Sequence, residues 1–149
     1  MRIEEEIKQS QFEDAHHKMV VNVMFTARFI ELKFERIFKK HGLTSQQYNV
    51  LRILRGQFPQ PICAGDVLSR MLDQSSNITR LMEKLLQKGL VERNINESNR
   101  RMHDIVITEK GLELLEKISP DFNELMEDYR NISSKEAESV SDLLDQFRG

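Results

Sequence analysis

Apolar residues recur along this chain in two registers, a helical one and a short alternating one, and the changes between them divide it. Phe12, His16, Met19, Val23, Ala27, Ile30, Phe34, Ile37 and His41 keep a helical spacing with no Pro or Gly before Gly42, which predicts one long helix. Residues 1–10 are polar and read as a loose segment. Between Met19 and Phe38 the stripe widens, because Val20, Val21, Met24, Phe25, Phe29 and Leu32 join it. A helix apolar nearly all round is buried on more than one side. At 1.5 Å per residue, about 30 residues make a helix about 45 Å long. A globule of this length has a radius of gyration of about 15 Å. The excess length and the excess apolar surface together predict a partner chain.

Thr44-Ser45-Gln46-Gln47 reads as a capping box that opens a second helix carrying Tyr48, Val50, Leu51, Ile53 and Leu54. Gly56, Pro59 and Pro61 break it. A short third helix follows, with Val67, Leu68, Met71 and Leu72 apolar, then a tight turn near Asp73 to Ser75. In the next segment Ile78, Leu81, Met82, Leu85 and Leu86 form the stripe of an amphipathic helix, and Ser75, Ser76, Asn77, Thr79, Arg80 and Lys84 are left on its polar side. Gly89 ends that helix, with Lys88 beside the negative end of its dipole. Two β-prone runs, Leu90 to Arg93 and Ile105 to Ile107, flank the polar insert Asn94 to Asp104 and predict a hairpin whose tip lies in solvent. Helix, turn, helix and hairpin in this order are the layout of a winged helix. A helix pair alone would be only a generic αα-hairpin.

After Gly111 the pattern is helical again. Leu115, Ile118, Phe122, Leu125 and Tyr129 continue to Pro120 and beyond, and Pro120 predicts a kink or a restart after a Ser119 cap. Ser133-Ser134-Lys135-Glu136 is another capping box, leading into a last helix with Ala137, Val140, Leu144 and Phe147 as its stripe. The fold class is therefore mainly α with a small β-hairpin wing. Residues 1–149 form one domain, with a winged helix-turn-helix DNA-binding lobe at 44–111 flanked by dimerisation helices at 11–41 and 112–149.

Charge sharpens this picture. Between Gln74 and His103 there are six Lys or Arg against three Glu, so in a chain of net charge −2 the remainder carries −5. Positive charge is collected on the two elements best shaped to meet a phosphate backbone. An ordinary solvated surface would explain such a cluster by itself, and only its coincidence with helix and wing points to DNA. From Glu109 onward eleven Asp or Glu stand against five Lys or Arg, a surface that DNA repels, so the C-terminal helices belong on the far side with the first helix. At 31% charged and 39% hydrophobic residues the composition is that of a soluble globular protein. No apolar run is long enough for a membrane span and the N-terminus lacks a signal core, which places the protein in the cytoplasm. The single cysteine forms no internal disulfide, as suits a reducing compartment.

The pattern Leu85-Leu86-Gln87-Lys88-Gly89-Leu90-Val91 resembles the end of the recognition helix in the MarR (multiple antibiotic resistance regulator) family. Asn96-Glu97-Ser98-Asn99-Arg100-Arg101 followed by Thr108-Glu109-Lys110-Gly111 is similar to that family's wing, with Asn in place of both of its Asp residues. Gly42-Leu43-Thr44-Ser45-Gln46-Gln47-Tyr48-Asn49-Val50-Leu51 is similar to a further signature. Motifs thus cover residues 40–111, and the flanks agree in pattern only. The resemblance implies a homodimeric regulator, read here as a repressor, released by an aromatic or anionic small molecule bound between the dimer helices and the winged-helix lobe. It implies no cofactor.

On this reading two recognition helices enter successive major grooves about 34 Å apart, and the target is an inverted repeat of double-stranded DNA. Ser75, Ser76, Asn77, Thr79 and Arg80 read base edges, Lys84 meets phosphate, and Arg101 with Arg100 reaches the minor groove. Asn96 and Asn99 can hydrogen-bond the wing arginine but supply no charge. Competing readings are weaker. No Gly-rich phosphate loop, nucleophile motif or His-Glu metal motif supports an enzyme. His16 and His17 point about 100° apart on a helix, and the Glu13/His17 pair has no further ligand nearby, so no metal site is assigned. Cys63 reads as a small buried hydrophobe, with thiol redox sensing as the alternative. A winged helix used only for protein docking is the remaining alternative.

Overall fold

The computed structural model describes residues 1–95 and 103–149. They form two compact units, Met1–Arg36 and Ile37–Gly149. The first unit holds a short helix α1 (Ile3–Glu6) and most of the long helix α2 (Ala15–Lys40). Helix α1 corrects the reading of residues 1–10 as loose: Ile3 is buried, the Arg2 amide is capped by Glu5 at 3.2 Å, and Lys18 pairs with Glu4. The Lys18 ammonium holds the Glu4 carboxyl below the usual range. Four residues are too few to show a helical period, which is why the pattern missed it. Along α2, Met19, Val20, Met24, Phe29 and Leu32 are exposed, consistent with more apolar surface than one chain covers.

The second unit takes its order from the ends of its helices. Gly42 (φ 71°) and Gly89 (φ 67°) occupy the left-handed position after α2 and after α5 (Ile78–Gln87). In both, the following residue reaches back to close a Schellman motif, Leu43 N–H to Phe38 O at 2.9 Å and Leu90 N–H to Leu85 O at 3.0 Å. Thr44 caps α3 (Ser45–Gln57) in the box foreseen from the sequence, accepting from Gln47 N–H at 3.2 Å. Ser133 caps α7 (Ser134–Arg148) in the same way, with Glu136. Helix α4 (Ala64–Ser69) is capped by Cys63, whose Sγ accepts from Asp66 N–H at 3.4 Å.

The sheet has three strands rather than the two of a simple hairpin. Strands β2 (Val91–Ile95) and β3 (His103–Ile107) pair antiparallel with Val91 opposite Ile107. A two-residue strand β1 (Ile62–Cys63) adds to the other edge of β3, Ile62 opposite Ile105, giving the order β1-β3-β2. Its core-facing side chains Ile62, Val91, Ile105 and Ile107 join Val50, Leu51, Leu54, Val67, Leu85 and Ile118, all buried, to make one core. Phe38, Tyr48 and Phe122 stack across α2, α3 and α6 (Glu109–Asp128) with ring centroids 4.0 and 6.0 Å apart. Burial pushes the Tyr48 phenol up.

Helix α6 runs unbroken through Pro120, so neither a restart nor a Ser119 cap occurs. A proline removes one backbone hydrogen bond and crowds one carbonyl. Burial of Ile118 before it and Leu125 after it holds the helix against that cost. Helix α7 has no buried residue, and Val140, Leu143 and Phe147 stay at least half exposed.

The junction of α5, the sheet and α6 is closely packed. Thr108 Oγ1 donates to Gly89 O at 2.8 Å and accepts from Gly111 N–H at 3.1 Å, so one hydroxyl ties the end of α5 to the start of α6. A Cβ on Gly111 would lie 2.4 Å from Leu90 O and 2.6 Å from Ile107 Cγ1. Overpacking of this kind costs about 1–3 kcal/mol. Gly111→Ala is accordingly expected to lower the unfolding free energy by that amount, read as a lower urea midpoint at fixed protein concentration. An unchanged midpoint would contradict the close approach.

Candidate nucleic-acid interface

The polar residues singled out before α5 fall on a turn, not on the helix. Arg70 to Asn77 connect α4 to α5, and Asp73 organises the middle of that connection. Its carboxylate accepts from Ser75 N–H and Oγ at 3.1 and 2.6 Å and from Ser76 Oγ at 3.0 Å. This is the local Asx-type bonding that favours a turn over helix. The two serine hydroxyls, Ser75 first, hold the Asp73 carboxyl below the usual range. Asn77 is the N-cap of α5, its Oδ1 accepting from Arg80 N–H at 3.0 Å. Ser75, Ser76 and Asn77 therefore commit oxygens to the backbone and to Asp73, while the Asn77 amide nitrogen keeps two donors to offer outward.

Two residues outside the foreseen set brace the same turn. Asn49 on α3 accepts the Leu72 N–H at 3.0 Å, and the Gln74 amide donates to Ser69 O at 3.1 Å. An Asp followed by two Ser is a legible turn signal, but a bracing Asn from another helix is not. Leu72, grouped with the apolar side of the third helix in the sequence, lies beyond the end of α4 and is 95% exposed.

On α5 the division of faces follows the pattern. Met82 and Leu85 are buried, and Thr79, Arg80, Glu83, Lys84 and Gln87 are exposed. The helix presents the positive end of its dipole, where N–H groups suit an anion, on the same side as the Ser-rich turn. At its other end two lysines turn to backbone: Lys110 Nζ donates to Lys88 O at 2.7 Å, and Lys88 Nζ donates to Gly42 O and, at 3.3 Å, to Gln47 Oε1. Lys88, counted above with the cationic face, is thus a structural cation. Gln47, buried at 2% exposure, also accepts the Thr44 N–H at 3.1 Å, and the sequence showed only this capping half of its role.

Arg93 is exposed to solvent at the edge of the space between α5 and the sheet. It lines a cavity of about 300 Å³ between α5 and the strands, together with Thr79, Met82, Glu83, Cys63 and His103. Of the foreseen DNA-contacting residues, Ser75, Ser76, Asn77, Thr79, Arg80 and Lys84 lie on one continuous turn-and-helix segment. Asn99, Arg100 and Arg101 lie outside the described residues.

Asp73 generates a pH prediction. Its folded pKa is depressed below the ordinary aspartate value, so its contribution to the turn is present above that value and is lost as pH falls through the folded pKa. The stability difference between wild type and Asp73→Asn should be constant from about pH 8 to 5 and should narrow only below about pH 4, read from urea melts. A difference that changes between pH 8 and 5 would contradict the assignment.

The residues match known proteins in the same region. The model of the MarR family matches residues 43–103. The HTH-type transcriptional regulator MhqR of Bacillus subtilis (strain 168) is 31% identical over 128 residues, which are 85% of this chain and 87% of that protein. A MarR transcription factor from Planctomyces limnophilus superposes with a TM-score of 0.69 at 27% identity, covering 93% of this chain and 98% of that one. Sco3205, a MarR family transcriptional regulator from Streptomyces coelicolor solved in complex with DNA, gives a TM-score of 0.80 at 15% identity over 94% of this chain and 90% of that one. These relatives are named for regulating transcription and not for a reaction. Sequence and fold agree, and the chain belongs to the MarR family of winged-helix transcriptional regulators.

Proposed function

We propose that this regulator binds double-stranded DNA as a homodimer at an inverted repeat and represses transcription from it. The observation that carries the reading is the segment Ser75 to Lys84. A side-chain-braced turn and the N-terminus of α5 place Thr79, Arg80 and Lys84 in solvent, on a scaffold shared with a relative solved on DNA. Thr79 and Arg80 read base edges and Lys84 meets phosphate. Ser75 and Ser76, their hydroxyls held by Asp73, contribute through remaining lone pairs and through phosphate contacts, and Asn77 through its amide donors. Asn99, Arg100 and Arg101 of the wing follow the phosphate backbone into the minor groove.

Residues 44–111 act as the DNA-binding lobe, and the helices within 11–41 and 112–149 as the dimerisation elements. The exposed Met19, Met24 and Phe29 of α2, and Val140, Leu143 and Phe147 of α7, support that assignment, because apolar stripes of this length need a cover. The protein works in the cytoplasm, where its DNA is accessible. Among the described residues no helix is long and apolar enough to cross a membrane.

The reading includes control by a small aromatic or anionic effector. It is placed in the cavity between α5 and the sheet, which no dimerisation helix lines, rather than between those helices and the lobe: at about 300 Å³ the cavity is large enough for one, and Arg93 supplies a cation. An aromatic carboxylate that binds there would weaken operator binding by wild type and leave Arg93→Ala unresponsive. Cys63 serves as the α4 cap and a cavity wall, so a redox role has no support beyond the thiol itself.

The test is the affinity of the purified protein for fragments flanking its own gene, measured across a salt series. Specific binding that falls steeply with salt is expected. Lys84→Ala should weaken all sequences alike and reduce the salt slope by about one per subunit, whereas Arg80→Ala should cost about 1–3 kcal/mol and relax selectivity. No preference for any fragment over random DNA would favour a protein-docking winged helix instead.

A further inference from the structure

Leu72 is the most exposed apolar side chain in the described residues after the N-terminal Met1, at 95% against 99%. Single exposed leucines are ordinary where a chain is loose. Leu72 is not placed on a loose chain. Its own N–H is held by Asn49 Oδ1, the following residue anchors Ser75 and Ser76, and Gln74 ties back to Ser69. Three hydrogen bonds to backbone groups, at Leu72 N–H, Ser75 N–H and Ser69 O, thus fix the chain on both sides of a side chain that touches almost nothing. Folding gains little from this arrangement, since a polar residue would keep all of those backbone contacts and expose no apolar surface.

The position matters. Leu72 lies in the turn of the helix-turn-helix, three residues past the end of α4 and five ahead of Asn77, the N-cap of α5. In such motifs the start of the second helix is the part that faces base edges. Arg70, two residues before it, and Arg80, on the first turn of α5, are exposed cations, against the single carboxylate of Asp73, which both serines hold. Cationic surroundings suit a polyanion better than an apolar protein surface. The apolar feature that the major groove itself offers is the thymine C5-methyl group.

We propose that Leu72 is a specificity-determining residue that packs against a thymine methyl in the major groove of each half-site. The proposal rests on the DNA-binding reading above, and it adds an apolar contact to the polar contacts of that reading. A methyl removed from water is worth about fourfold in affinity, so two half-sites give about fifteenfold.

The experiment starts from duplexes selected by the wild-type protein from random sequence. Each thymine is then replaced in turn by deoxyuridine, which lacks only the methyl group. One position in each half-site should weaken wild-type binding about fourfold when substituted singly, and about fifteenfold when both are substituted. Leu72→Ala should bind the unmodified duplex more weakly by the same factor and be indifferent to deoxyuridine at that position. Leu72→Met, which keeps the apolar reach, should retain the sensitivity. A thermal midpoint of Leu72→Ala equal to wild type confirms that the fold is intact, as expected for a residue this exposed. If the wild type selects a sequence but no deoxyuridine effect disappears in Leu72→Ala, the methyl contact is overturned and the DNA-binding reading stands. If the wild type selects no sequence at all, both fall.

Discussion

Everything that positions α5 depends on how its C-terminal end is satisfied. A helix leaves its last carbonyls without partners, and at the end of α5 side chains from neighbouring elements supply them. Gly89 in the left-handed conformation lets Leu90 turn back to Leu85. Thr108 takes the Gly89 carbonyl, Lys110 takes the Lys88 carbonyl, and the Lys88 side chain crosses to Gly42 and Gln47 at the start of α3. Gly111 is required because the Leu90 carbonyl occupies the space of its side chain. One cluster of polar contacts therefore fixes α5 against α3, the sheet and α6 together.

With that end fixed, the other end is free to meet a ligand. The N-terminal turn of α5 is braced through Asp73, Asn77 and Asn49, whose bonds set the backbone and leave Thr79, Arg80 and Lys84 outward. The two ends divide the work electrostatically. Lysines neutralise the negative end of the dipole inside the lobe, and the positive end is left for an anion outside it. The same helix forms a wall of the cavity that Arg93 lines, so a molecule bound there would press on the element proposed to face DNA.

How much of this could be read from residues depends on whether the signal is local. Gly42, Gly89, the Thr44/Gln47 box and the Ser133/Glu136 box are local, and each appears where the pattern put it. The stripe of α5 was legible because five apolar residues repeat over two turns. Strand β1 was not, since two residues after Pro61 carry no alternation and the strand exists only because β3 has a free edge. Helix α1 is too short for a period, and α6 survives Pro120 through tertiary burial that no window around the proline reveals. At the candidate interface the residue types were legible and their duties were not. Lys88 and Arg93 look like their cationic neighbours in the sequence, yet one caps backbone and the other lines a cavity. The exposure of Leu72 depends on where α4 stops, a boundary that periodicity leaves uncertain by a few residues.

The central claim is that two copies of this chain set two α5 helices into one inverted repeat. Hydroxyl-radical footprinting of the tightest-binding duplex tests it most directly. Two protected patches are expected on each strand, related by a two-fold axis and centred about ten base pairs apart. A single patch without symmetry, or no protection at concentrations where the protein is bound, would contradict it.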